Sequence, residues 1–407
     1  MKRKTLALLL VLALVFGLAS CDSGENAASG DPASNPPTSE GVNGENSNEP
    51  GNETDRLLIG YNQLITGDYA LDTLANNIKF AIESAGHEAM GVVAGGNVDQ
   101  MITDIENMIA AGCDGLVLWL PIEAQYLTVA EMCEAAGVYW TLADKLPSDE
   151  ILEQLKDYEY FAGGIAPDSY SYGVRLAEYA IEQGYQSAYI QASGIGDASG
   201  TPRIEGFRDT FEAAGGTILD EAHTDDTNEA VTQAENLYLT YGDQADCIMC
   251  TGASTFGTAA LTILQKYDEH DVKILTADLD QTILQSMAED DYVAVCTGDY
   301  WVCGSLSAVM CINALENGMW TDENGDAAVI SNVPAFSVPS EQLELFNTYI
   351  AGNALFSDAE IRDMVDGDLD NFRTWVENFD LVSRFESKYA DGLIPAEAME
   401  AAGLSVN

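Results

Sequence analysis

The feature that most constrains this chain is a regular alternation of short apolar runs with amphipathic helical patterns, which begins at Leu57. The run LLIGY is followed by ALDTLANNIKFAIESAG, EAMGVV by NVDQMITDIENMIAAG, and GLVLWL by EAQYLTVAEMCEAAG. Within NVDQMITDIENMIAAG the apolar residues recur three and four positions apart, so they occupy one face of a helix. Repeated strand–helix units with non-alternating apolar strands predict a parallel sheet covered by helices on both sides.

The pattern restarts after YFAGGIAP, with the apolar runs SAYIQA, TILDEA, CIMCT, VKILTA and VAVCTG. About 350 residues follow the N-terminal segment, which is more than one hydrophobic core usually holds. We therefore predict an α/β fold with two doubly wound parallel-sheet lobes joined by a multi-strand hinge. The expected N-terminal lobe comprises 57–165 and 300–330, and the C-terminal lobe comprises 166–299 and 331–340. Residues 341–407 are expected to form a mainly helical C-terminal extension, in which Ser357 and Glu360 fit a capping box.

The N-terminal segment has the features of an export signal. Residues 1–20 carry three basic residues and then a short uncharged apolar run, which is typical of a secretory signal peptide. The next residues, LASC, are similar to the lipobox of bacterial lipoproteins, which implies that Cys21 is lipidated and holds the protein on the outer face of the bacterial cytoplasmic membrane. An ordinary signal peptide with an unmodified cysteine is the alternative. Residues 21–56 are rich in Ser, Gly, Asn, Pro and acidic residues, so we expect a disordered tether.

The chain is strongly acidic, with 67 Asp and Glu residues against 16 Lys and Arg residues. Binding to phosphates needs clustered Lys and Arg, so this composition excludes nucleic acid as a partner. The acidic residues are scattered along the sequence, which favours a solvated and mutually repelling surface. A preference for cationic ligands is the second interpretation of the same imbalance.

Cysteine and histidine provide little evidence for a metal site or for catalysis. Most cysteines other than Cys21 lie inside apolar runs, so we expect small buried residues, and the sequence leaves their oxidation state open. Cys247 and Cys250 form a CxxC pattern, but on one strand their side chains point to opposite faces and no second Cys or His pair accompanies them. The three histidines, His87, His223 and His270, stand beside polar helix-end or loop residues, which favours exposed positions.

Candidate ligand contacts follow from the predicted topology. In a doubly wound fold, ligands bind in the crevice outside the carboxyl ends of the strands. The polar and aromatic residues that follow predicted strands are Asn62, Gln63, Tyr69, Trp119, Asp144, Lys145, Arg203, Thr251, Asp278, Asp299 and Trp301. Arg203 is the most distinctive of them, because it is expected in the loop after SAYIQA and lacks the chemistry of a helix cap. For an isolated polar residue at a strand end, capping or turn formation is the alternative role.

The order and spacing of several motifs resemble those of type I periplasmic binding proteins, the two-lobed receptors of the ribose-binding and lac-repressor-like group. The resemblance covers residues 57 to about 340 and rests on NVDQMITDIENMIAAGCDGLVLW, VYWTLADK, TPRIEGF, VKILTADLDQTILQSM and ALENG. It implies the solute-binding subunit of an ABC transporter. It also implies that Asp144 with Lys145, Arg203 and Asp278 grip ligand hydroxyls, and that Tyr69 stacks on the ligand.

Three positions depart from the pattern of the members that bind simple sugars. TGAS, Thr251 to Ser254, stands where those members usually have an Asn-Asp pair, and Gly298 stands where they have a Gln. Lys145 replaces the usual arginine and so gives up a planar, two-pronged donor. The resemblance therefore implies a sugar or sugar derivative without implying ribose or galactose.

These observations predict a monomeric protein that closes two lobes around a small polar ligand and delivers it to an ABC transporter permease, without cofactor or metal. The alternative is a receptor for a nucleoside or signalling molecule that is coupled to a membrane sensor kinase. An enzyme is disfavoured, because GASTFG lacks the spacing of a nucleophile elbow and GIGDASG lacks that of a dinucleotide-binding loop.

Overall fold

The computed structural model describes residues 56–352 and 354–405. The expected signal peptide, the lipidated Cys21 and the tether up to residue 55 lie outside the described residues. In the part of the chain that is described, none of the helices combines the length and the apolar character that a membrane crossing requires.

The strands, in chain order, are β1 Leu58–Gln63, β2 Glu88–Val93, β3 Gly115–Leu118, β4 Tyr139–Ala143, β5 Phe161–Pro167, β6 Ser187–Ala192, β7 Thr217–His223, β8 Cys247–Cys250, β9 Lys273–Thr276, β10 Val293–Gly298, β11 Val329–Val333 and β12 Phe336–Pro339. The α-helices are α1 Tyr69–Ser84, α2 Val98–Ala110, α3 Glu123–Ala136, α4 Asp149–Leu155, α5 Ser169–Glu182, α6 Gly200–Ala213, α7 Thr227–Tyr241, α8 Thr258–Tyr267, α9 Gln281–Glu289, α10 Tyr300–Glu316, α11 Leu343–Phe346, α12 Asp358–Asp366, α13 Leu369–Glu377, α14 Leu381–Ala390 and α15 Ala396–Ala401.

The strands form two six-stranded sheets, one in each lobe. The first has the order β11-β5-β4-β3-β1-β2, and its neighbouring strands are parallel. The second has the order β12-β10-β9-β8-β6-β7, in which β12 runs antiparallel to β10 and the other pairs are parallel. Separate hydrophobic clusters lie on the two faces of each sheet, so helices cover both faces. The predicted fold of two parallel-sheet lobes is confirmed.

The chain passes between the lobes at three places: after β5, after β10 and after β11. The first crossing leads into α5, which packs on α6 of the second lobe, and the second leads into α10, which packs on β3, β4 and β5 of the first. Strand β11 pairs with β5 as far as Val333 opposite Pro167. The third crossing therefore lies beyond the boundary expected at residue 330, because β11 extends the first sheet past that point.

The C-terminal extension is mainly helical, as predicted, and it contacts both lobes. Helix α12 packs on α1 and α10 of the first lobe, where Arg362 forms an ion pair with Glu316 at 2.6 Å. Helix α11 packs on α9 and β12 of the second lobe. The ring of Phe379 also lies 5.9 Å from that of Phe336 in β12. The extension therefore bridges the two lobes on the side of the hinge.

Side-chain capping explains where α12, the first of the longer helices in the extension, begins. The Ser357 side chain accepts a hydrogen bond from the Glu360 amide, and the Glu360 carboxylate accepts one from the Ser357 amide. This reciprocal pair satisfies two amides that the first turn of α12 leaves without helical partners. The predicted capping box is thus confirmed.

The expectation of exposed histidines is wrong for His87, which is only 4% exposed. Its Nδ1 accepts a hydrogen bond from the Leu57 amide, and its Nε2 lies 2.7 Å from Oε1 of Glu316. Glu316 in turn contacts Arg362 of the extension. The histidine therefore connects the start of β1 with α10, a contact that local sequence cannot reveal because the partner is 229 positions away.

The cysteines of the described residues are buried and unpaired, namely Cys113, Cys133, Cys247, Cys250, Cys296, Cys303 and Cys311. Cys247 and Cys250 stand at the two ends of β8, as the sequence predicts. Their interpretation as small buried residues is confirmed.

We predict that Gly163→Ala lowers the free energy of unfolding by about 3 to 5 kcal/mol, because left-handed backbone strain and a steric clash add together. Gly163 in β5 has a φ of 98°, and a Cβ there would lie 1.9 Å from the carbonyl oxygen of Ala328, just before β11. Gly184→Ala is the matched control, since Gly184 has a φ of 79° but no atom within 4 Å of its added Cβ. Its cost is expected to be about 1 to 2 kcal/mol. Urea denaturation measures both variants, and equal losses would contradict the close β5–β11 packing.

Candidate functional site

Two aspartates follow strands at the crevice edges of the two sheets. Asp144 comes directly after β4 of the first sheet, and Asp278 comes after β9 of the second. Both adopt a left-handed backbone, with φ values of 66° and 65°, which is uncommon for residues other than glycine. Strained conformations of this kind cluster at functional sites. The occurrence of the same conformation at the edges of both sheets favours a common role for the two residues.

Arg203 forms a two-pronged ion pair with Asp278. Its two terminal nitrogens donate to the two carboxylate oxygens at 2.9 and 3.0 Å, and Nη1 also donates to the Thr251 carbonyl at 2.8 Å. Burial opposes the charge, but Asp278 outweighs it and raises the pKa of the Arg203 guanidinium. Arg203 lies in the first turn of α6, not in the preceding loop as expected, because the helix begins at Gly200. The arginine is a fixed cation at the carboxyl ends of β8 and β9.

Aromatic side chains connect this ion pair to the hinge. The guanidinium carbon of Arg203 lies 4.2 Å from the centre of the Tyr172 ring, in a cation–π contact. The Tyr172 hydroxyl, on α5, donates to Oδ1 of Asp299. The hydroxyl of Tyr300, the first residue of α10, donates to Oδ1 of Asp278 at 3.3 Å. The contacts therefore run continuously from the second lobe into the second hinge crossing.

Asp299 is the buried carboxylate of that crossing, and it receives hydrogen bonds on both oxygens. Tyr172 donates to one oxygen, and Sγ of Cys303, one turn into α10, lies 3.0 Å from the other. Burial raises the pKa of Asp299, while hydrogen bonds from Tyr172, Cys303 and Asp144 oppose that rise. Oxygens of Asp144 and Asp299 and the Cys303 sulfur lie within 4.8 Å of one another. A carboxyl of the first lobe is thus brought beside a carboxyl of the hinge.

Asp144 bears the larger electrostatic cost of this arrangement. Burial raises the pKa of Asp144 well above its ordinary value, and the negative charges of Asp299 and Asp278 add to the rise. The raised pKa favours the neutral form of the Asp144 carboxyl, which lies beside Asp299. Its Oδ1 atom is buried and has no hydrogen-bond partner among the described residues. That atom is free to accept a hydrogen bond from a ligand.

The cluster of Asp144, Asp299 and Cys303 is also close enough to hold one metal ion. Both oxygens of Asp299, however, already accept hydrogen bonds from Tyr172 and Cys303. Burial and the neighbouring Asp299 carboxylate raise the pKa of the Cys303 thiol well above its ordinary value, so the sulfur keeps its proton. Hydrogen bonds from Tyr172 and Cys303 thus hold Asp299 in this arrangement.

Asn62 and Gln63 hold the backbone near the crevice and do not project free amides into it. The Asn62 side chain accepts from the Trp119 amide at 2.9 Å and donates to the Trp119 carbonyl at 3.0 Å, so it joins the ends of β1 and β3. The Gln63 amide donates to the Ile65 carbonyl at 2.8 Å and to Asp72. Both side chains are buried. These contacts give both residues a structural role at the crevice edge, and their expected role as ligand contacts stays a prediction.

Lys145 and Thr251 also differ from the expectation. The Lys145 side chain is exposed, and its Nζ lies 3.5 Å from the Pro121 carbonyl. The Thr251 hydroxyl accepts a hydrogen bond from the Ser193 amide at 3.2 Å, and its carbonyl accepts from Arg203. Thr251 therefore positions the arginine, and Lys145 lies outside the cluster of charged groups.

The three aromatic candidates have different surroundings. Trp301 is fully buried, and its ring contacts those of Tyr69, Phe336 and Phe346. Protein rings thus surround Trp301 in the hinge core, and its buried Nε1 has no hydrogen-bond partner among the described residues. Its expected role as a ligand contact stays a prediction. Tyr69, at the start of α1, and Trp119, after β3, are partly buried. These two remain candidates to cover an apolar ligand face.

The strand-end rule does not select Tyr172 or Cys303, whereas Tyr300 follows the predicted strand VAVCTG, and all three contact the site carboxylates. Tyr172 lies in the first turn of α5, immediately after the first crossing between the lobes. Cys303 follows Asp299 by four positions, the spacing of neighbours on one helical face. Tyr300 follows Asp299 directly. The helices that follow the first two crossings, α5 and α10, therefore contribute contact residues from their first turns. Those first turns, as well as the strand ends, are where the sequence could have indicated site residues.

We predict that Asp144→Asn stabilises the ligand-free protein at pH 7, with a gain that shrinks as the pH falls toward 4. Between the ordinary Asp pKa of about 4 and the raised pKa of Asp144, the folded state binds a proton that the unfolded state has released. Stability therefore falls as pH rises through this window. The substituted amide donates to Asp299 without that penalty.

Thermal unfolding at several pH values measures this difference, with Asp157→Asn as the control because Asp157 is exposed. The account would be contradicted if Asp144→Asn destabilised the protein at neutral pH, or if its effect were the same at pH 4 as at pH 7.

Solved structures with the same fold are numerous. A periplasmic ribose ABC transporter protein from Conexibacter woesei has a TM-score of 0.60 and 16% identity, covering 73% of this chain and 96% of that chain. An arabinose binding protein from Geobacillus stearothermophilus also has a TM-score of 0.60 and 16% identity, covering 72% and 99%. An ABC transporter solute binding protein from Bacillus halodurans with bound myo-inositol has a TM-score of 0.53 and 18% identity, covering 72% and 98%.

Sequence comparison provides the assignment to a family. No curated protein matches the sequence significantly. The family model described as a periplasmic binding protein domain matches residues 66–319, which is more than half of the chain and includes Asp144, Arg203, Asp278 and Asp299. The two parallel-sheet lobes agree with that match. The chain belongs to the periplasmic binding protein family.

Proposed function

We propose that this protein is an extracytoplasmic solute-binding protein that captures a sugar or sugar derivative between its two lobes and delivers it to the permease of an ABC transporter. The observation that carries the proposal is the meeting of Asp144 from the first lobe with Arg203 and Asp278 from the second. Because the buried Oδ1 of Asp144 has no partner among the described residues, this meeting leaves an acceptor available to a ligand.

The chemistry of these groups suits a polyhydroxylated molecule. A carboxylate accepts hydrogen bonds from ligand hydroxyls, and hydrogen bonds to a charged group are stronger than those between neutral groups. Arg203 keeps Nε buried and without a partner among the described residues, so the guanidinium retains one free donor. Tyr69 and Trp119 supply partly exposed aromatic surface that suits the apolar face of a sugar ring.

Ligand binding at this place couples to lobe closure. A ligand that contacts Asp144 and Arg203 together interacts with both lobes only when they are close. It therefore binds the closed arrangement more tightly than the open one and shifts the equilibrium toward closure. A permease that recognises the closed form would then receive only loaded protein.

The named structural neighbours support a polar, hydroxyl-rich ligand. One is described with bound myo-inositol, another as a ribose transporter protein and a third as an arabinose binding protein. These descriptions also favour the transport role over the alternative of a nucleoside or signalling receptor coupled to a sensor kinase. The role assigned to the site is binding, and no catalytic residue is assigned.

The remaining parts of the proposal concern location and assembly. Lipidation at Cys21 would anchor the protein to the outer face of the bacterial cytoplasmic membrane, and the segment up to residue 56 would act as the tether. Both lobes of a single chain would contribute the contact groups, so the protein would act as a monomer. Radiolabelled palmitate incorporation that disappears in Cys21→Ala would support the anchor, and incorporation that persists would refute it.

We predict that Arg203→Ala weakens ligand binding by about 2 to 5 kcal/mol, because the substitution removes a buried donor and leaves Asp278 unpaired. The ligand is first identified by thermal unfolding of the purified protein against sugars, polyols and nucleosides, since a ligand at about 100 times its dissociation constant stabilises by about 2.7 kcal/mol. Isothermal titration then measures the affinity of each variant.

Arg208→Ala is the matched control, since Arg208 lies on the same helix and pairs with Glu221 at the surface. Binding by this variant is expected to equal that of the unmodified protein. If Arg203→Ala binds the ligand as well as Arg208→Ala does, the guanidinium has no place in the site. If nucleosides alone stabilise the protein, the sugar assignment is wrong.

A further inference from the structure

The charged side chains that meet in the crevice are not balanced. Three carboxylates lie there, those of Asp144, Asp278 and Asp299, and their charges interact with one another. Arg203 is the cation that pairs with them in the described part of the chain. The crevice therefore carries an excess of acidic groups at a place that burial makes costly for unpaired charge.

The positive charge of Arg203 already pairs with one of the three carboxylates, that of Asp278. Its two terminal nitrogens bind the two oxygens of Asp278 at 2.9 and 3.0 Å, which is the geometry of a complete carboxylate–guanidinium pair. Neither Asp144 nor Asp299 takes part in an ion pair within the described residues. The uncompensated charge is therefore located at the junction of the first lobe and the hinge.

Lys145 does not supply the missing cation, although it follows Asp144 directly. Its side chain is exposed, and its ammonium group lies 3.5 Å from the Pro121 carbonyl. Tyr172 and Cys303 donate to Asp299 as neutral groups. They satisfy hydrogen bonds but add no positive charge.

We infer that the ligand itself brings the cation: the crevice accepts an amine-bearing sugar or polyol whose protonated amino group lies against Asp144 and Asp299. This inference rests on the proposed function and narrows its ligand class. An ammonium group has three donors, and the buried, unpartnered Oδ1 of Asp144 is an acceptor for one of them. The hydroxyls of the same ligand would lie toward Arg203 and Asp278.

The physical alternative to a ligand cation is a proton. In the ligand-free protein, burial and the neighbouring carboxylates raise the pKa of Asp144, which favours its neutral, protonated form beside Asp299. Arrival of an ammonium group favours ionisation of both carboxyls, because an opposite charge within about 4 to 6 Å lowers their pKa values. Binding of the amine should therefore release the proton of Asp144.

The charge of the whole chain supports the same ligand class by an independent route. The formal net charge is −51, so the protein presents a negative potential to approaching molecules. Such a potential raises the association rate of cationic ligands and disfavours anionic ones. The carboxylates of the crevice and the negative potential of the whole protein thus both favour a positively charged ligand.

A bare calcium or magnesium ion fits the group less well. Calcium takes six to eight oxygen ligands and magnesium six, waters included, whereas both oxygens of Asp299 already accept hydrogen bonds from Tyr172 and Cys303. An ammonium group needs only hydrogen-bond acceptors, and it leaves those two bonds in place.

The test compares matched triplets by isothermal titration of the purified protein: glucosamine with glucose and N-acetylglucosamine, and galactosamine with galactose and N-acetylgalactosamine. At least one amine is expected to bind about tenfold or more tightly than both its hydroxyl and acetylated counterparts. Titration in two buffers of different ionisation enthalpy should show that amine binding releases protons, whereas binding of the neutral sugars does not.

The variant that isolates the charge is Asp144→Asn, which keeps the shape of the side chain and is expected to fold stably. It should lose the preference for the amine and the proton release together. Asp157→Asn, which removes one exposed surface carboxylate, should keep both.

Each other outcome overturns the inference in a distinguishable way. Tighter binding of a neutral sugar than of its amine would remove the amine and leave the proposed sugar-binding function intact. An unchanged preference in Asp144→Asn would place the amine elsewhere. Binding of magnesium, calcium or manganese chloride alone, lost in Asp144→Asn, would make the group a metal site. Failure of every member of both triplets to bind would count against the inference and the proposed function together.

Discussion

The ion pair between Arg203 and Asp278 determines the chemistry of the crevice. It ties the first turn of α6 to the segment after β9, and its guanidinium lies over the Tyr172 ring. The hydroxyl of the same tyrosine reaches Asp299 at the hinge. Asp299 lies beside Asp144 of the first lobe. A single buried cation thus organises side chains from the second lobe, the hinge and the first lobe.

The same ion pair leaves the other two carboxyls to compete for a proton. The partly buried Asp144 lies next to the fully buried Asp299, and burial raises the pKa of both groups. Opening of the lobes would return Asp144 to water and remove this cost. At neutral pH this cost therefore lowers the stability of the ligand-free protein while Asp144 stays beside Asp299. A ligand that donates hydrogen bonds or positive charge to Asp144 removes the same cost while the lobes stay closed.

The C-terminal extension adds a mechanical constraint to this electrostatic one. It packs on α1 and α10 of the first lobe through α12, and on α9 and β12 of the second lobe through α11. The buried Trp301 packs against Phe336 and Phe346 where these parts meet. The hinge therefore lies under a hydrophobic cover, so the motion of the lobes must preserve or rearrange these aromatic contacts.

Much of the fold could be predicted from the sequence, because apolar strands and helical periodicity are local signals. The strand-end rule also identified Asp144 and Asp278, since parallel strands bring their carboxyl ends to one edge. It could not separate a free side chain from one that the protein uses itself, such as Asn62, whose amide bonds both backbone groups of Trp119. The surroundings of Trp301 could not be foreseen, because α10 is buried along most of its length and its sequence has no polar face to show which side chains meet the crevice.

Long-range contacts account for the other differences. Tyr172 meets Asp299 across 127 positions of sequence, and His87 meets Glu316 across 229. Neither pair has a local pattern that would indicate its partner. The sequence shows an excess of acidic residues, but it does not show which charged groups pair. Only the fold shows that Arg203 pairs with Asp278 and that Asp144 lies beside Asp299.

The measurement that tests the account most directly is small-angle X-ray scattering of the purified protein, with and without a saturating ligand found in the thermal screen. The account predicts a larger radius of gyration without ligand and a decrease on binding, because the ligand joins Asp144 of one lobe to Arg203 of the other. Arg203→Ala should remain in the larger form at the same ligand concentration. A ligand that binds tightly and leaves the radius of gyration unchanged would show that the site does not lie between closing lobes.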